Sequence, residues 1–208
     1  MNKMSVVNSL GRSATRLACL LAALPVLAHA AIVEMDARDF RTATSSTVLA
    51  VEDFEGLAAG PVESPVPLVN GLIYSSAAPW VFAPAPGYTS LTGDTPLSAP
   101  RTFIVTEPGI NAFSVDLFVQ KDDEYDVTVT TAKGSTLRIA ARRGDKFESF
   151  FGIVVSNDTI QSVTFTAVGG SAGPGTDGAG VGNYTFDNVT VGTVVPTTST
   201  SGKKGKNR

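Results

Sequence analysis

Acidic side chains near the two ends of the chain's β-rich region could together bind a metal ion. Asp53 and Glu55 flank Phe54 near the start of this region, and Asp187 interrupts an apolar segment at 183–192. Ca²⁺ takes about six to eight oxygen ligands, and backbone carbonyls usually supply some of them. Glu55, Asp187 and Asp53 are therefore candidate ligands of a structural Ca²⁺. The alternative, which the residue types leave open, is that Asp187 is a solvated or capping residue.

Aromatic side chains suggest a second kind of chemistry, the stacking of sugar rings. Trp80, Phe82 and Tyr88 lie close together in a proline-rich segment, and Tyr125 is a weaker candidate of the same sort. Trp and Tyr combine a large apolar face with a polar group, which suits contact with a hydroxylated ring. Trp80, Tyr88 and Tyr125 are therefore candidate ligand-binding residues. In the alternative interpretation, the single Trp fills one end of the core.

The scarcity of Cys and His limits catalysis. The chain has one of each, Cys19 and His29, and both precede the point at which we expect the protein to be processed. The remainder then has no disulfide, no Cys–His or Ser–His nucleophile and no usual zinc ligand set. Paired acids can hydrolyse glycosidic bonds, but Asp122, Asp123 and Glu124 are more typical of a polar turn. We predict that the protein is not an enzyme, and a glycoside hydrolase is the least favoured alternative.

The first 30 residues have the pattern of a signal peptide. Three basic residues precede an apolar run at 17–27, and Ala28-His29-Ala30 is a small-x-small cleavage sequence. The run is shorter than the about 20 apolar residues that a membrane-spanning helix needs. We therefore expect cleavage before Ala31, export to the periplasm or outside the cell, and no stable membrane insertion.

The exported part is acidic. The chain has 16 Lys and Arg and 19 Asp and Glu. Three of the basic residues and none of the acidic ones lie in the signal, so the remainder carries 13 basic and 19 acidic residues, a net charge of −6. Charge repulsion disfavours nucleic acid and anionic membranes as partners. The sequence does not indicate an oligomeric state.

Short strands separated by turns are predicted to position these residues. Apolar and polar residues alternate over 111–120, 125–130 and 160–168, a pattern typical of a sandwich or barrel, and no segment after residue 30 favours a helix. The prolines between Pro79 and Pro100 predict a loop or an edge strand rather than a central strand. We predict a lead-in segment at 31–44 that is a first strand or disordered, a β-sandwich at 45–192 and a disordered Thr/Ser/Lys-rich tail at 193–208.

The last strand contains a change of parity. Phe186 falls on one face, whereas Val189 and Val191 have the opposite parity. If all three face the core, the strand must contain a β-bulge at the intervening Asp187-Asn188. We expect this strand to pair with the acidic strand at 51–56, which would bring the acidic residues of both strands together.

The two ends of this region resemble those of galactose-binding-like jelly rolls. Asp53-Phe54-Glu55-Gly56 is similar to the opening strand of that group, and Tyr184-Thr185-Phe186-Asp187-Asn188-Val189-Thr190-Val191 to its closing strand. Many carbohydrate-binding modules share this fold, and residues that correspond to Glu55 and Asp187 often hold a structural Ca²⁺ in it. The segment around 150–165 resembles secreted bacterial sandwich proteins of the PEP-CTERM-associated kind, but no apolar span precedes the basic residues at the end. The resemblance implies an all-β, antiparallel jelly-roll β-sandwich.

Together these observations favour a secreted, non-catalytic module that binds a carbohydrate or another polymer and is stabilised by Ca²⁺. The alternative is an extracellular structural or matrix protein that acts through protein contacts. The two hypotheses differ in where they put the aromatic residues. Glycan binding predicts at least two of them exposed on one face, whereas the structural role predicts that Trp80 and Tyr88 are buried.

Overall fold

The fold is known from a computed structural model that describes six ranges of the chain: 30–83, 89–93, 99–119, 124–143, 149–169 and 184–195. The predicted signal peptide, Tyr88, the acidic pair Asp122-Asp123 and the tail from residue 196 lie outside the described residues. Within these ranges, no helix combines the length and the apolar character needed to cross a membrane.

The described residues form fourteen strands, one α-helix and a 3₁₀ turn at Val69–Gly71. In chain order the elements are β1 (Ala31–Met35), α1 (Ala37–Ala43), β2 (Leu49–Glu52), β3 (Gly60–Pro61), β4 (Val66–Pro67), β5 (Leu72–Ser75), β6 (Pro79–Phe82), β7 (Ser90–Gly93), β8 (Arg101–Val105), β9 (Ala112–Val119), β10 (Glu124–Thr131), β11 (Thr136–Arg143), β12 (Ser149–Ser156), β13 (Ile160–Gly169) and β14 (Tyr184–Gly192).

The strands form two antiparallel sheets. Sheet A has the order β1-β12-β9-β14-β7-β6-β3, and β2 also pairs with β14. Sheet B has the order β11-β10-β13-β8-β5-β4. The inward side chains of both sheets join one apolar core. The predicted all-β, antiparallel jelly-roll β-sandwich is therefore confirmed.

Aromatic rings from both sheets meet at the centre of the core. The Phe186 ring of sheet A lies 5.0 Å from the Phe103 ring and 5.0 Å from the Phe165 ring, both of sheet B, in edge-to-face contacts. Such pairs contribute about 0.5–1.5 kcal/mol each beyond the burial of their area. All three rings are completely buried, so Phe186 fixes the position of β14 between its neighbours.

The predicted bulge in the last strand is confirmed. The pairing of β14 with β9 shifts register between Asp187 and Thr190, and Asn188 has a φ of 47°, a left-handed conformation that Asn tolerates better than most residues. As a result Phe186, Val189 and Val191 all face the core. The predicted pairing with the acidic strand is confirmed for Val51 and Glu52, which lie opposite Thr190 and Val189. The strand ends at Glu52, however, and residues 53–56 form a loop in which Phe54 has a φ of 59°.

The prediction that no helix follows residue 30 is wrong, because α1 lies at 37–43. The Asp36 carboxylate accepts hydrogen bonds from the backbone N–H groups of Arg38 (2.9 Å) and Asp39 (2.8 Å) and so caps the helix. Phe40 then packs on the outer face of sheet A, with its ring 5.8 Å from that of Phe150. A capped helix of seven residues, about two turns, is too short to give a clear helical period, and its stability comes from the packing of Phe40.

The first strand, β1, belongs to sheet A, where it pairs with β12 along its whole length.

The expectation of a loop or edge strand at the proline-rich segment is also wrong. Strand β6 pairs with β7 on one side and with β3 on the other. Pro79 is tolerated there because it is the first residue of the strand, where a missing backbone donor has little effect.

Candidate functional site

The outer face of sheet A carries two exposed aromatic rings. Trp80 and Phe82 are 38% and 52% exposed. Pro79, which precedes Trp80, and Val81, which lies between the two rings, are buried. Alternate residues of a strand share a face and lie about 6.6–6.8 Å apart. The structure therefore has two aromatic residues side by side on one face, which is the arrangement that glycan binding predicts. Trp80 is not buried as the structural role predicts, and Tyr88 lies outside the described residues.

Two carboxylates face each other across neighbouring strands of the same face. Asp187 in β14 is paired directly with Asp116 in β9. The backbone N–H of Asn188 donates to Asp187 Oδ1 at 2.7 Å, and the Asn188 side-chain amide donates to Asp116 Oδ2 at 3.0 Å. Like charges directly opposite each other destabilise a sheet. Asn188, the bulge residue, reduces this cost because it donates one hydrogen bond to each of the two carboxylates.

Two more carboxylates come from the loop after β2. The Glu52 side chain fixes this loop by accepting from the backbone N–H groups of Phe54 (3.0 Å) and Val69 (3.2 Å). Glu55 Oε1 accepts from the backbone N–H of Thr89 at 2.9 Å, and Thr89 immediately precedes β7. Asp53 Oδ1 accepts from the backbone N–H of Glu55 at 3.1 Å. The loop therefore holds Glu55 against the start of β7.

The other three carboxylates influence Asp187. Partial burial raises the pKa of Asp187 above its ordinary value, and the charges of Asp116, Glu55 and Asp53 raise this pKa further, against the lowering effect of the Asn188 backbone hydrogen bond. The convergence that the sequence indicated for Glu55, Asp53 and Asp187 is thus present in the structure. Among the described residues, however, no group of three or more His, Cys, Asp or Glu side chains is arranged to hold a metal ion.

Sequence reasoning did not select Asp116. It occupies a polar position of the strongly alternating segment at 111–120, so its outward direction was readable from the pattern. Its importance depends on the strand beside it, and nothing local to residue 116 specifies that β14 will place Asp187 opposite.

Phe82 and the two carboxylates share one row across the sheet, and Trp80 lies one alternate position farther along β6. Leu91 of β7 lies opposite both Phe186 of β14 and Val81 of β6. The next outward position on each strand is Asp187, Ser90 and Phe82, and Phe82 is paired with Ser90. With strands about 4.7–4.9 Å apart, Asp187 and Phe82 are separated by about 10 Å. We call the surface formed by Trp80, Phe82, Ser90, Asp187 and Asp116 the acidic–aromatic face.

Tyr125 does not belong to this face. Its side chain is 3% exposed, and its ring lies 6.3 Å from that of Phe165 in the core. Tyr125 therefore offers no surface on which a ligand could stack, contrary to its selection from the sequence.

A cavity of about 380 Å³ lies at another part of the sandwich, where β2 begins and β14 ends. Val48, Ile110 and Val195 contribute to its lining, together with hydroxyl and amide side chains, and the lining contains no acidic residue. The glycoside-hydrolase alternative requires two carboxylates across a cleft, and this cavity does not provide them.

No family model matches the chain, and no curated protein matches it. Solved structures of family 29 carbohydrate-binding modules are similar to it at low identity. A CBM29-2 variant complexed with mannohexaose has a TM-score of 0.41 and 12% identity, over 71% of this chain and 93% of that chain. A second variant, complexed with cellulohexaose, has a TM-score of 0.39 and 11% identity, over 71% and 92%. A likeness of this size carries no argument about the ligand of this protein.

Proposed function

We propose that this protein is an exported, non-catalytic module that binds a carbohydrate or a similar hydroxylated polymer on the acidic–aromatic face. The observation that carries the proposal is the exposure of Trp80 and Phe82 next to each other on one face, with Asp187 and Asp116 on other strands of the same face. Sugar rings stack on exposed aromatic faces, and carboxylates accept hydrogen bonds from sugar hydroxyls. Asp187 and Asp116 lie within reach of a chain that stacks on the two rings.

The rigidity of the surface also supports this proposal. Strand β6 is hydrogen-bonded on both sides, and Val81 between the two rings is completely buried. The rings therefore stand on an element that does not have to be ordered when a ligand arrives. A preformed surface loses less conformational entropy on binding than a loop does.

Removal of one ring tests the proposal. Binding of mannohexaose and cellulohexaose, the ligands of the similar solved structures, should be measured by calorimetry for the parent and for Trp80→Ala. Truncation of a central aromatic residue of a binding surface commonly costs about 2 kcal/mol, so affinity should fall by about tenfold or more. Val168→Ala removes a similarly exposed apolar side chain from sheet B (49% exposed) and should bind as the parent does.

A broader glycan array covers other sugars with the same three proteins and with Phe82→Ala. Glycan binding that is unchanged in both Trp80→Ala and Phe82→Ala would contradict the assignment of this face. Absence of binding to every glycan of the array would contradict the proposed function itself.

We also propose that Ca²⁺ binds to the carboxylates around Asp187 and stabilises the domain. The support is the convergence of Asp53, Glu55, Asp116 and Asp187, whose mutual repulsion a divalent cation would relieve. Side-chain movement and backbone carbonyls would have to complete the ligand set. Melting in EDTA and then in excess Ca²⁺ tests this, because a ligand that binds only the folded state raises the melting temperature. An unchanged melting temperature, in the parent and in a Glu55→Gln/Asp187→Asn variant alike, would contradict the calcium site.

Export is supported by the signal-like first 30 residues. Expression in a bacterial host should yield a protein in the periplasm or medium whose amino-terminal residue is Ala31. An intact Met1 on the protein in the cytoplasm would contradict the proposed export.

A further inference from the structure

The acidic–aromatic face carries two carboxylates, Asp116 and Asp187, and the charge of Asp53 also acts on Asp187. Asp53, Asp116 and Asp187 form no ion pair with a described residue, and their hydrogen-bond donors are backbone N–H groups and the Asn188 amide. Arg138 and Asp126 form an ion pair in the other sheet, sheet B. A ligand that lies on this face therefore meets several carboxylates whose charge no nearby described cation neutralises.

This charge discriminates between classes of glycan. A chain of uronic or sulfated sugars would bring more negative charge to Asp187 and Asp116 and would be repelled. A chain of amino sugars with free ammonium groups would instead form charge-assisted hydrogen bonds with the same carboxylates. An ammonium group is also attracted to the face of an indole ring, so Trp80 would favour the same ligand.

The geometry brings the two kinds of contact into one binding event. A sugar stacked on Phe82 lies about 10 Å from Asp187 across the intervening β7. A polymer that runs across the strands would therefore present a substituent of a following sugar to Asp187 and then to Asp116. An isolated monosaccharide would reach only one of the two groups.

We propose that the ligand of the acidic–aromatic face is a polymer of amino sugars with free ammonium groups. This inference rests on the proposed carbohydrate-binding function and names its substrate class. A basic peptide would also satisfy the carboxylates and could place one cation over a ring, but consecutive pyranose rings can stack on both flat rings, so the sugar polymer is the occupant that uses both features.

Calorimetry with matched hexamers tests the inference. Glucosamine hexamer, N-acetylglucosamine hexamer and hexagalacturonate differ in charge and share a pyranose backbone, and they should be compared at mildly acidic pH, low salt and with EDTA. Exposed ion pairs contribute about 0.2–1 kcal/mol each, so two of them should make the glucosamine hexamer bind about two- to thirtyfold more tightly than its acetylated form. Hexagalacturonate should bind most weakly.

Charge variants show where the preference originates. Asp116→Asn/Asp187→Asn should weaken the glucosamine hexamer more than the N-acetylglucosamine hexamer and so reduce the ratio between them to near one. Glu107→Gln, which removes an exposed carboxylate beyond β8, should keep the ratio. Replacement of EDTA by Ca²⁺ should weaken the glucosamine hexamer selectively, because both cations need the same carboxylates.

The outcomes separate this inference from the proposed function. Equal binding of charged and acetylated hexamers, lost in Trp80→Ala, would overturn the amino-sugar preference and leave a carbohydrate-binding face. Polylysine that binds as tightly as the glucosamine hexamer, and equally well to Trp80→Ala, would overturn it in favour of a general cation-binding surface. Failure of all three hexamers, mannohexaose and cellulohexaose to bind would overturn both.

Discussion

Replacing Asp187 with Asn should stabilise the folded protein at neutral pH. Asp187 and Asp116 are directly opposite across β14 and β9, where Cβ atoms are about 4.5–5.5 Å apart. Two unit charges about 5 Å apart repel by about 0.8 kcal/mol in bulk water and by about 3 kcal/mol at an effective dielectric constant of about 20. Both side chains are partly exposed, and water therefore screens the pair, so the expected gain is about 1 kcal/mol.

The sign of the pH dependence follows from the raised pKa of Asp187. Between the ordinary value and the raised value, the folded protein binds more protons than the unfolded chain, so the free energy of unfolding falls as pH rises through this interval. Below the ordinary Asp pKa of about 3.9, both states are protonated and the repulsion is absent. The advantage of Asp187→Asn should therefore be near zero at that acidity and reach its full value at neutral pH.

Urea denaturation in EDTA and low salt, at several pH values between 3.5 and 7.5, measures this difference directly. The Asn oxygen can still accept from the Asn188 backbone N–H, so the replacement keeps the local hydrogen bond. Asp116→Asn should give a similar gain, and the double variant should gain less than the sum, because both changes remove one repulsion. An Asp187→Asn protein that is less stable than the parent at neutral pH, or a difference that does not vary with pH, would refute this reasoning.

Three further outcomes are expected. Asp158→Asn should destabilise the protein at neutral pH. Burial by itself would raise the pKa of Asp158, but hydrogen bonds from the Thr131 hydroxyl and two backbone N–H groups outweigh this effect and lower the pKa. The loss should vanish as pH falls through that lowered pKa in urea titrations, and a loss equal at all pH values would contradict it. Phe186→Ala should reduce the unfolding free energy by about 3–5 kcal/mol, and a loss below about 1 kcal/mol would show that its core position is not specific. Asp36→Ala should cost about 1 kcal/mol through its lost cap, whereas Asp39→Ala should cost less, and equal costs would argue against capping.

The sequence predicted the features that local patterns encode. The parity change between Phe186 and Val189 is a property of four consecutive residues. Both side chains can face the buried core only if the strand contains a β-bulge between them. The pairing of β14 with β2 was also predictable, because both segments combine β-favouring residues with acids at one end.

The features that sequence reasoning missed depend on distant parts of the chain. Helix α1 exists because Phe40 finds Phe150, which lies more than 100 residues away. Trp80 is exposed because β3 and β7 occupy both edges of β6 and leave only its faces. Asp116 matters because β14 places a second carboxylate opposite. In each case the deciding partner is not adjacent in sequence, and residue type alone cannot identify it.

The position of β1 has a consequence for how the protein acquires its structure. Ala31 pairs with Ser156, and Leu49 in β2 pairs with Gly192. The first two strands of sheet A therefore cannot pair until residues more than 100 positions later in the chain have been synthesised. Contacts of such long sequence separation slow folding, since the intervening loop must close first. A chain that crosses a membrane from its amino terminus would therefore remain unfolded until almost all of it had passed, which is the state that a narrow translocation channel requires.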